Sequence, residues 1–199
     1  KPFARVVKRL CWGLIFLGWI PNINAQVVLN ELVAANVQGT SDPDFGTKAD
    51  WVELRNLNSF PINIGGYSLT DDRKMARKWI IPSNTFIPSN GYVLLWADDR
   101  NTGLHTNFKL SAEGEYLGLY TAQGVLADSV AFPAQSPDVA WGRSPDGSGS
   151  WSFLSPPSPA AQNPGKGILG KAPQPAVSLQ GGIYETPQLV QLQTSLPNS

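Results

Sequence analysis

The feature that most limits the fold is a hydrophobic period of two residues, recurring in short runs that turn residues interrupt. In Trp51-Val52-Glu53-Leu54-Arg55 the apolar Val52 and Leu54 alternate with Trp51, Glu53 and Arg55, the pattern of a strand with one face in a core. Tyr92-Val93-Leu94-Leu95-Trp96 is apolar on both faces and reads as a central sandwich strand. Between them, Ile62, Ile64, Tyr67 and Leu69 flank Gly65-Gly66, and Trp79-Ile80-Ile81 ends at Pro82, which predicts two further short strands. Glu115 to Tyr120, the turn Ala122-Gln123-Gly124 and Val125 to Val130 have hairpin spacing. Val139 to Arg143 and Trp151 to Phe153 bracket Pro145-Asp146-Gly147. Strand candidates at about ten-residue spacing predict an all-β, immunoglobulin-like β-sandwich. Composition agrees: 19 Gly and 17 Pro supply turns, and 42% hydrophobic residues suffice for a core. The only Cys is Cys11, so an antibody-type cross-sheet disulfide is impossible. Trp51, Trp79, Trp96 and Trp141 are expected to fill the core instead.

The start of the chain has a different character. Lys1, Arg5, Lys8 and Arg9 precede an apolar run from Leu10 to Ile20, then Pro21 and Asn24-Ala25, the three parts of a secretory signal peptide. Residues 1–25 are expected to be this signal, with cleavage between Ala25 and Gln26. The apolar run is shorter than the roughly 20 residues a spanning helix needs. Cys11 precedes the apolar run and follows Lys8-Arg9, which does not suit a lipidation site. Removing residues 1–25 takes four of the 15 basic residues and none of the 15 acidic ones, leaving a net charge of −4. A surface of that sign disfavours nucleic acid. The expected setting is secretion, or the cell surface, of a bacterium, with membrane contact only during export.

After Phe153 the chain becomes rich in proline, from Leu154 to Gly165, and Lys166 to Pro175 continues without an apolar period, so this stretch reads as extended. The sandwich is assigned to residues 26–164 and the linker to 165–175. Ala176 to Tyr184 and Leu189 to Thr194 then read as two more strands, which cannot fold alone. Residues 176–199 are therefore expected to begin a second small β domain.

Several motifs run in one order: Val28-Leu29-Asn30-Glu31-Leu32, Asp50-Trp51-Val52-Glu53-Leu54-Arg55-Asn56, Gly65-Gly66-Tyr67-Ser68-Leu69-Thr70-Asp71 and Gly91-Tyr92-Val93-Leu94-Leu95-Trp96-Ala97-Asp98. His105-Thr106-Asn107-Phe108-Lys109-Leu110-Ser111, Gly114-Glu115, Asp128-Ser129-Val130 and Gly142-Arg143 follow. Across about residues 27–164 the chain resembles the lamin-tail domain in its bacterial, secreted form. Where that family closes on a Thr-Pro-Gly-containing segment before Asn, this chain has Pro157-Ser158-Pro159-Ala160-Ala161-Gln162-Asn163. Residues 176–199 resemble the opening of the β domain at the C-terminus of chitobiase-type enzymes. The resemblance implies an immunoglobulin-like sandwich used for interaction or targeting, at the N-terminal end of a larger extracellular or cell-surface protein, with no catalytic residues and no cofactor to carry over. The expected partner is a protein or glycan of the cell surface.

Candidate chemistry is sparse. His105 is the only His, and with no Gly-x-Ser-x-Gly elbow it reads as a turn position rather than a catalytic base. One His and no Cys after residue 25 exclude an ordinary zinc site. Asp42, Asp44 and Asp50 bracket a long loop and offer oxygen ligands to calcium; the competing reading is that they cap turns. Asp71-Asp72 and Asp98-Asp99 follow strands and have the same two readings. Trp151, beside Ser150 in a Gly/Ser-rich turn, is the candidate for stacking on a sugar ring, which would make the chain a carbohydrate-binding module for a downstream enzyme or kinase-like domain. Arg73-Lys74-Met75-Ala76-Arg77-Lys78 is either a contact for an anionic surface or a solvated loop balanced by Asp71 and Asp72.

Overall fold

The computed structural model describes residues 26–168 and 175–193. The signal peptide expected at 1–25, linker residues 169–174 and the terminal 194–199 lie outside the described residues. The elements are β1 (Val27–Val33), β2 (Asp50–Asn56), β3 (Ile62–Asn63), β4 (Ser68–Thr70), β5 (Trp79–Ile80), β6 (Phe86–Ile87), β7 (Tyr92–Ala97), β8 (Glu115–Tyr120), β9 (Leu126–Phe132), β10 (Ala140–Ser144), β11 (Ser150–Leu154), β12 (Ala176–Val177) and β13 (Leu192–Gln193). No helix occurs among the described residues. Strands run β11-β10-β1-β2-β7 in a five-stranded sheet and β5-β4-β8-β9 in a four-stranded one, all pairs antiparallel; β3 pairs β6, and β12 pairs β13 in a separate ribbon.

Alternation along each strand sends one side chain in two between the sheets. Leu29, Leu32, Val52, Leu54 and Leu95 from the larger sheet meet Leu69, Leu117, Leu119, Trp79 and Phe132 from the smaller, with Ile64, Ile81 and Ile87 closing the end. Residues of β1 and β2 that point away from this core are buried as well. Val33, Trp51, Trp96, Ala140 and Leu154 form a second apolar cluster on the outer face of the larger sheet. The four expected core tryptophans thus divide between two layers. Trp79 sits in the main core with Trp141 packed against it, Trp51 and Trp96 are buried on the outer side.

The outer face is buried because the proline-rich segment after β11 folds back over it. The extended reading of residues 154–165 fails here for a definite reason. Proline removes backbone donors, and two N–H groups left in this segment, at Ser158 and Ala160, donate to Glu31 and Glu53 at 2.9 and 2.7 Å. Pro156, Pro157 and Pro159 face Val33 and Trp51 across a narrow cleft. The half-buried pattern read for β2 is corrected in the same way: Glu53 is fully buried, although its alternation marks the face opposite Val52 and Leu54.

One edge of the sandwich is locked across the two sheets. The pairing of β1 with β2 shifts register between Leu29 and Glu31, and the Leu29 N–H donates to Asp128 of β9 at 3.0 Å. Arg143 of β10 grips the same carboxylate with Nη2 at 3.0 and 2.8 Å, and its Nε donates to the Leu29 carbonyl at 2.9 Å. Two of the sequence motifs, Asp128-Ser129-Val130 and Gly142-Arg143, therefore meet in one fastening.

Candidate interaction site

Two loops meet beyond the ends of β2 and β7. The first, around residues 40–49, is organised by Asp42: Oδ1 accepts from the N–H groups of Asp44 and Phe45, at 3.1 and 2.6 Å, and Oδ2 from the N–H and hydroxyl of Thr47, at 2.9 and 2.5 Å. Burial by itself would raise this carboxyl, but the donors from Thr47 and Phe45 outweigh it and hold it down at about 2. The second loop leaves β7 at Asp98 and runs back beside it. Trp96 N–H donates to the Leu104 carbonyl and Thr106 N–H to the Trp96 carbonyl, both at 2.8 Å, which lays His105 alongside the strand.

His105 is only 1% exposed. Its Nδ1 lies 2.9 Å from Asp98 Oδ2 and its Nε2 3.2 Å from Asp44 Oδ2. Carboxylates only accept, so the doubly protonated ring satisfies both contacts at once and the neutral ring satisfies one. The ring meets Phe45 edge-on at 5.0 Å, and the Arg100 guanidinium lies 4.1 Å over the Phe45 centroid while its Nε donates to Asp98 at 2.8 Å. Beside this stack lies an open cleft of about 280 Å³ lined by Lys48, Asp50, Asp98, Arg100 and Lys109. Both hydrogen-bond partners of the imidazole are carboxylates, and the adjacent Thr106 hydroxyl donates to the Phe108 carbonyl at 2.5 Å. The pairing of base and nucleophile that acyl transfer requires is not made by these groups. What the arrangement offers is a charged surface of fixed geometry.

Asp42, Asp44 and Asp50 do not converge as a calcium cage. Asp42 faces its own loop, Asp44 faces His105, and Asp50 accepts the Asn36 N–H at 3.0 Å, with burial raising its carboxyl. Among the described residues no group of three or more His, Cys, Asp or Glu side chains is placed to hold a metal. Trp151 is half-buried against the main core, and the Arg143 guanidinium lies 4.9 Å over its ring. Gln26, the residue after the expected cleavage point, is exposed and its carbonyl accepts the Leu57 N–H at 2.9 Å. Within the basic cluster, Lys78 pairs with Asp71 at 2.6 Å, Arg73 lies 3.9 Å over the Tyr116 ring, and Arg77 donates to the Ala122 carbonyl at 3.1 Å. Asp72 accepts the Lys74 N–H at 2.8 Å, so this loop is tied to its own sheet.

A second polar cluster went unread in the sequence. Glu31 of β1 and Glu53 of β2 stand directly opposite each other in register, on the outer face, at 1% and 0% exposure. Asn30 Nδ2 donates to Glu53 at 2.7 Å and to Asp146 at 2.8 Å, and Asn30 Oδ1 accepts the Gly147 N–H at 2.7 Å. Asp146 also accepts from the Arg55 guanidinium and, at 2.7 Å, from the Tyr92 hydroxyl. Asn163 Nδ2 donates to the carbonyls of Asn30 and Arg143, at 3.3 and 2.9 Å. Burial, opposed by the bonds to Ser158, lifts Glu31 to about 7; burial, opposed by Asn30 and Ala160 and reinforced by Glu31 and Asp146, lifts Glu53 to about 8. The usable sequence signal was the polar pair Asn30-Glu31 inside an otherwise apolar strand.

Two facing antiparallel sheets with an apolar interior define an immunoglobulin-like β-sandwich. The family model for the lamin tail domain matches residues 22–134, more than half of the chain, and the chain belongs to that family. That match ends before β10 and β11, which complete the larger sheet. No curated protein matches the chain.

Proposed function

We propose that this chain is a secreted, non-catalytic interaction and targeting module standing at the N-terminal end of a larger extracellular or cell-surface protein of a bacterium. The observation that carries this reading is the division of labour around His105. The imidazole and Asp98 are tied to each other, while Lys48, Arg100 and Lys109 line an open cleft able to meet an anionic group on a surface protein or polysaccharide. Basic signal-peptide character at residues 1–25 and the acidic balance that follows support export and argue against nucleic acid. The ribbon of β12 and β13 leaves Val177, Leu189, Val190 and Leu192 exposed, which suits the opening of a second β domain of the chitobiase C-terminal kind, whose further strands would cover them.

The test is binding of the labelled chain to intact bacterial cells and to an array of bacterial surface polysaccharides. Saturable, salt-sensitive binding that Lys48→Glu with Lys109→Glu abolishes is the expected result. Hydrolysis of an arrayed substrate, or binding indifferent to both substitutions, would overturn the reading. If the carbohydrate-module alternative through Trp151 holds, Trp151→Ala alone removes glycan binding. Arg143 already covers one face of that ring and leaves at most the other for a sugar.

A further inference from the structure

The segment after β11 carries no charged residue between Ser155 and Gly165, yet it lies on a buried, acid-rich surface of the larger sheet. Three carboxyls meet there: Glu31 from β1, Glu53 from β2 and Asp146 from the turn between β10 and β11. Arg55 of β2 is the cation that faces them, bonded to Asp146, and Tyr92 of β7 supplies a phenol that burial and Asp146 raise to about 12. From β10 the residue opposite Glu31 is Gly142, and the covering segment adds only Ser158, Asn163 and backbone N–H groups.

Hydrogen-bond geometry shows which of the two glutamates is able to hold a proton. Ser158 Oγ lies 2.9 Å from Glu31 Oε2 and 3.0 Å from Asn163 Oδ1, and both are oxygens that accept from a hydroxyl. One hydroxyl hydrogen cannot serve both. If it goes to Asn163, the Glu31 contact is satisfied only by a carboxylic acid whose own O–H donates to Ser158 Oγ. Glu53 has no comparable outlet, since Asn30 Nδ2 and Ala160 N–H are both donors to it. Asn163 Oδ1 also lies 3.5 Å from Asn30 Nδ2, so the hydroxyl can serve either acceptor; of the two glutamates it is Glu31 that has an acceptor, Ser158 Oγ, for a proton of its own, although burial pushes Glu53 up at least as strongly.

We propose that residues 155–163 form a strap that a proton on Glu31 holds against the larger sheet, and that loss of this proton to water at alkaline pH lifts the strap and uncovers the outer face at Val33 and Trp51. Deprotonation removes the donor to Ser158 and sets two carboxylates directly across β1 and β2, with Asp146 alongside and Arg55 already engaged. Like charges in that position repel, and water reaches them once the strap leaves. Upward displacement of the Glu31 carboxyl by burial sets the transition near neutral pH. This device goes beyond ligand binding at the His105 cleft and does not depend on it.

The experiment is amide hydrogen exchange on the full chain at about pH 5.5 and about pH 9, with each rate divided by its unstructured reference rate at the same pH. Protection of the Ser158 and Ala160 amides is expected to fall by about tenfold or more, the effect of one proton whose affinity changes by one pH unit, while Leu54 in β2 keeps its protection. Glu31→Gln reproduces the protonated acid, with a carbonyl for Ser158 N–H and an amide donor for Ser158 Oγ, and is expected to hold the strap down at both pH values. Equal protection of the strap at both pH values, or a Glu31→Gln chain that opens as the parent does, would overturn the proposal. Should that variant fail to fold, the carboxyl carbon of Glu31 in the parent decides by NMR. A titration midpoint near neutrality supports the strap, and one near the ordinary glutamate value refutes it.

Discussion

The two polar centres use the same acidic residue type under opposite conditions. Around His105 the carboxylates of Asp42, Asp44 and Asp98 sit on loops: Asp42 accepts several N–H groups, Asp98 meets Arg100, Asp44 is largely exposed, and a cleft keeps the neighbourhood open to water. Under the strap, the Glu31, Glu53 and Asp146 side chains are almost wholly buried, and Arg55 is bonded to Asp146. Asp42 is therefore held as an anion and Glu31 as an acid. A carboxyl's charge state follows the donors and water around it, not its residue type.

The contrast can be broken most severely at Asn30. Truncation by Asn30→Ala leaves Glu53, Asp146 and the Gly147 N–H each short of a partner in a buried site, and a loss of about 4 kcal/mol in urea unfolding is expected. A loss below about 1 kcal/mol would mean that water replaces the amide and the cluster is not sealed. Next in size is the pH dependence of the sealed cluster. Glu31 and Glu53 have folded values above the ordinary glutamate value, so between about pH 5 and pH 8 the folded state holds protons that the unfolded state has lost. Stability should fall across that window by about 2 kcal/mol, limited by the free energy of docking the strap, and should level off above it. Stability rising over the same range would refute the assignment of raised values.

Asp42 provides the opposite sign. Its folded value of about 2 lies below the unfolded one, so its contribution is complete above about pH 4 and disappears as the pH falls toward 2. Asp42→Ala is expected to cost about 1.5 kcal/mol at neutral pH and to make no further difference at about pH 2, as thermal unfolding at the two pH values would show. The smallest effect belongs to Asp44→Asn, because Asp44 is well exposed and its bond to His105 is one contact in a wet site. A change within about 0.5 kcal/mol is expected, and a larger one would show that Asp44 holds the loop rather than resting on it.

Much of this architecture was legible residue by residue. Alternation in β2 and β8, and the Ala122-Gln123-Gly124 turn between β8 and β9, locate the strands because side chains on a pleated strand point to opposite faces. The central position expected for Tyr92–Trp96 is corrected: β7 is an edge strand, apolar on both faces because Leu95 enters the main core while Leu94 and Trp96 join the outer apolar cluster. Of the two acids weighed as partners of the basic loop, Asp71 pairs with Lys78, while Asp72 accepts the backbone N–H of Lys74. The strap was not legible. Proline-rich sequence without an apolar period looks the same whether it is solvated or laid on a sheet, and what captures it here is a pair of carboxyls more than 100 residues earlier in the chain. The surroundings of Trp151 were illegible for the same reason: its neighbours in sequence are Gly and Ser, while Arg143 from the neighbouring strand lies over its ring and the main core packs against it. Gly142 also takes its meaning from distant residues. A Cβ at that position would stand 2.5 Å from Leu154 Cδ1 and 3.2 Å from Glu31 Cγ, so glycine there makes room for the acid beneath the strap.

Hydrophobic period, turn chemistry and the absence of cysteine after residue 11 by themselves determined an all-β chain closed by apolar packing rather than by a disulfide. These are local consequences of backbone geometry and composition. Only the tertiary structure decided which acids are pushed toward their protonated form, which tryptophans lie on the outer side of the sheet, and that the proline-rich segment lies over that outer face. Those outcomes depend on burial and on donors brought together across long sequence separations, and a carboxyl's environment is defined only after the strands have paired.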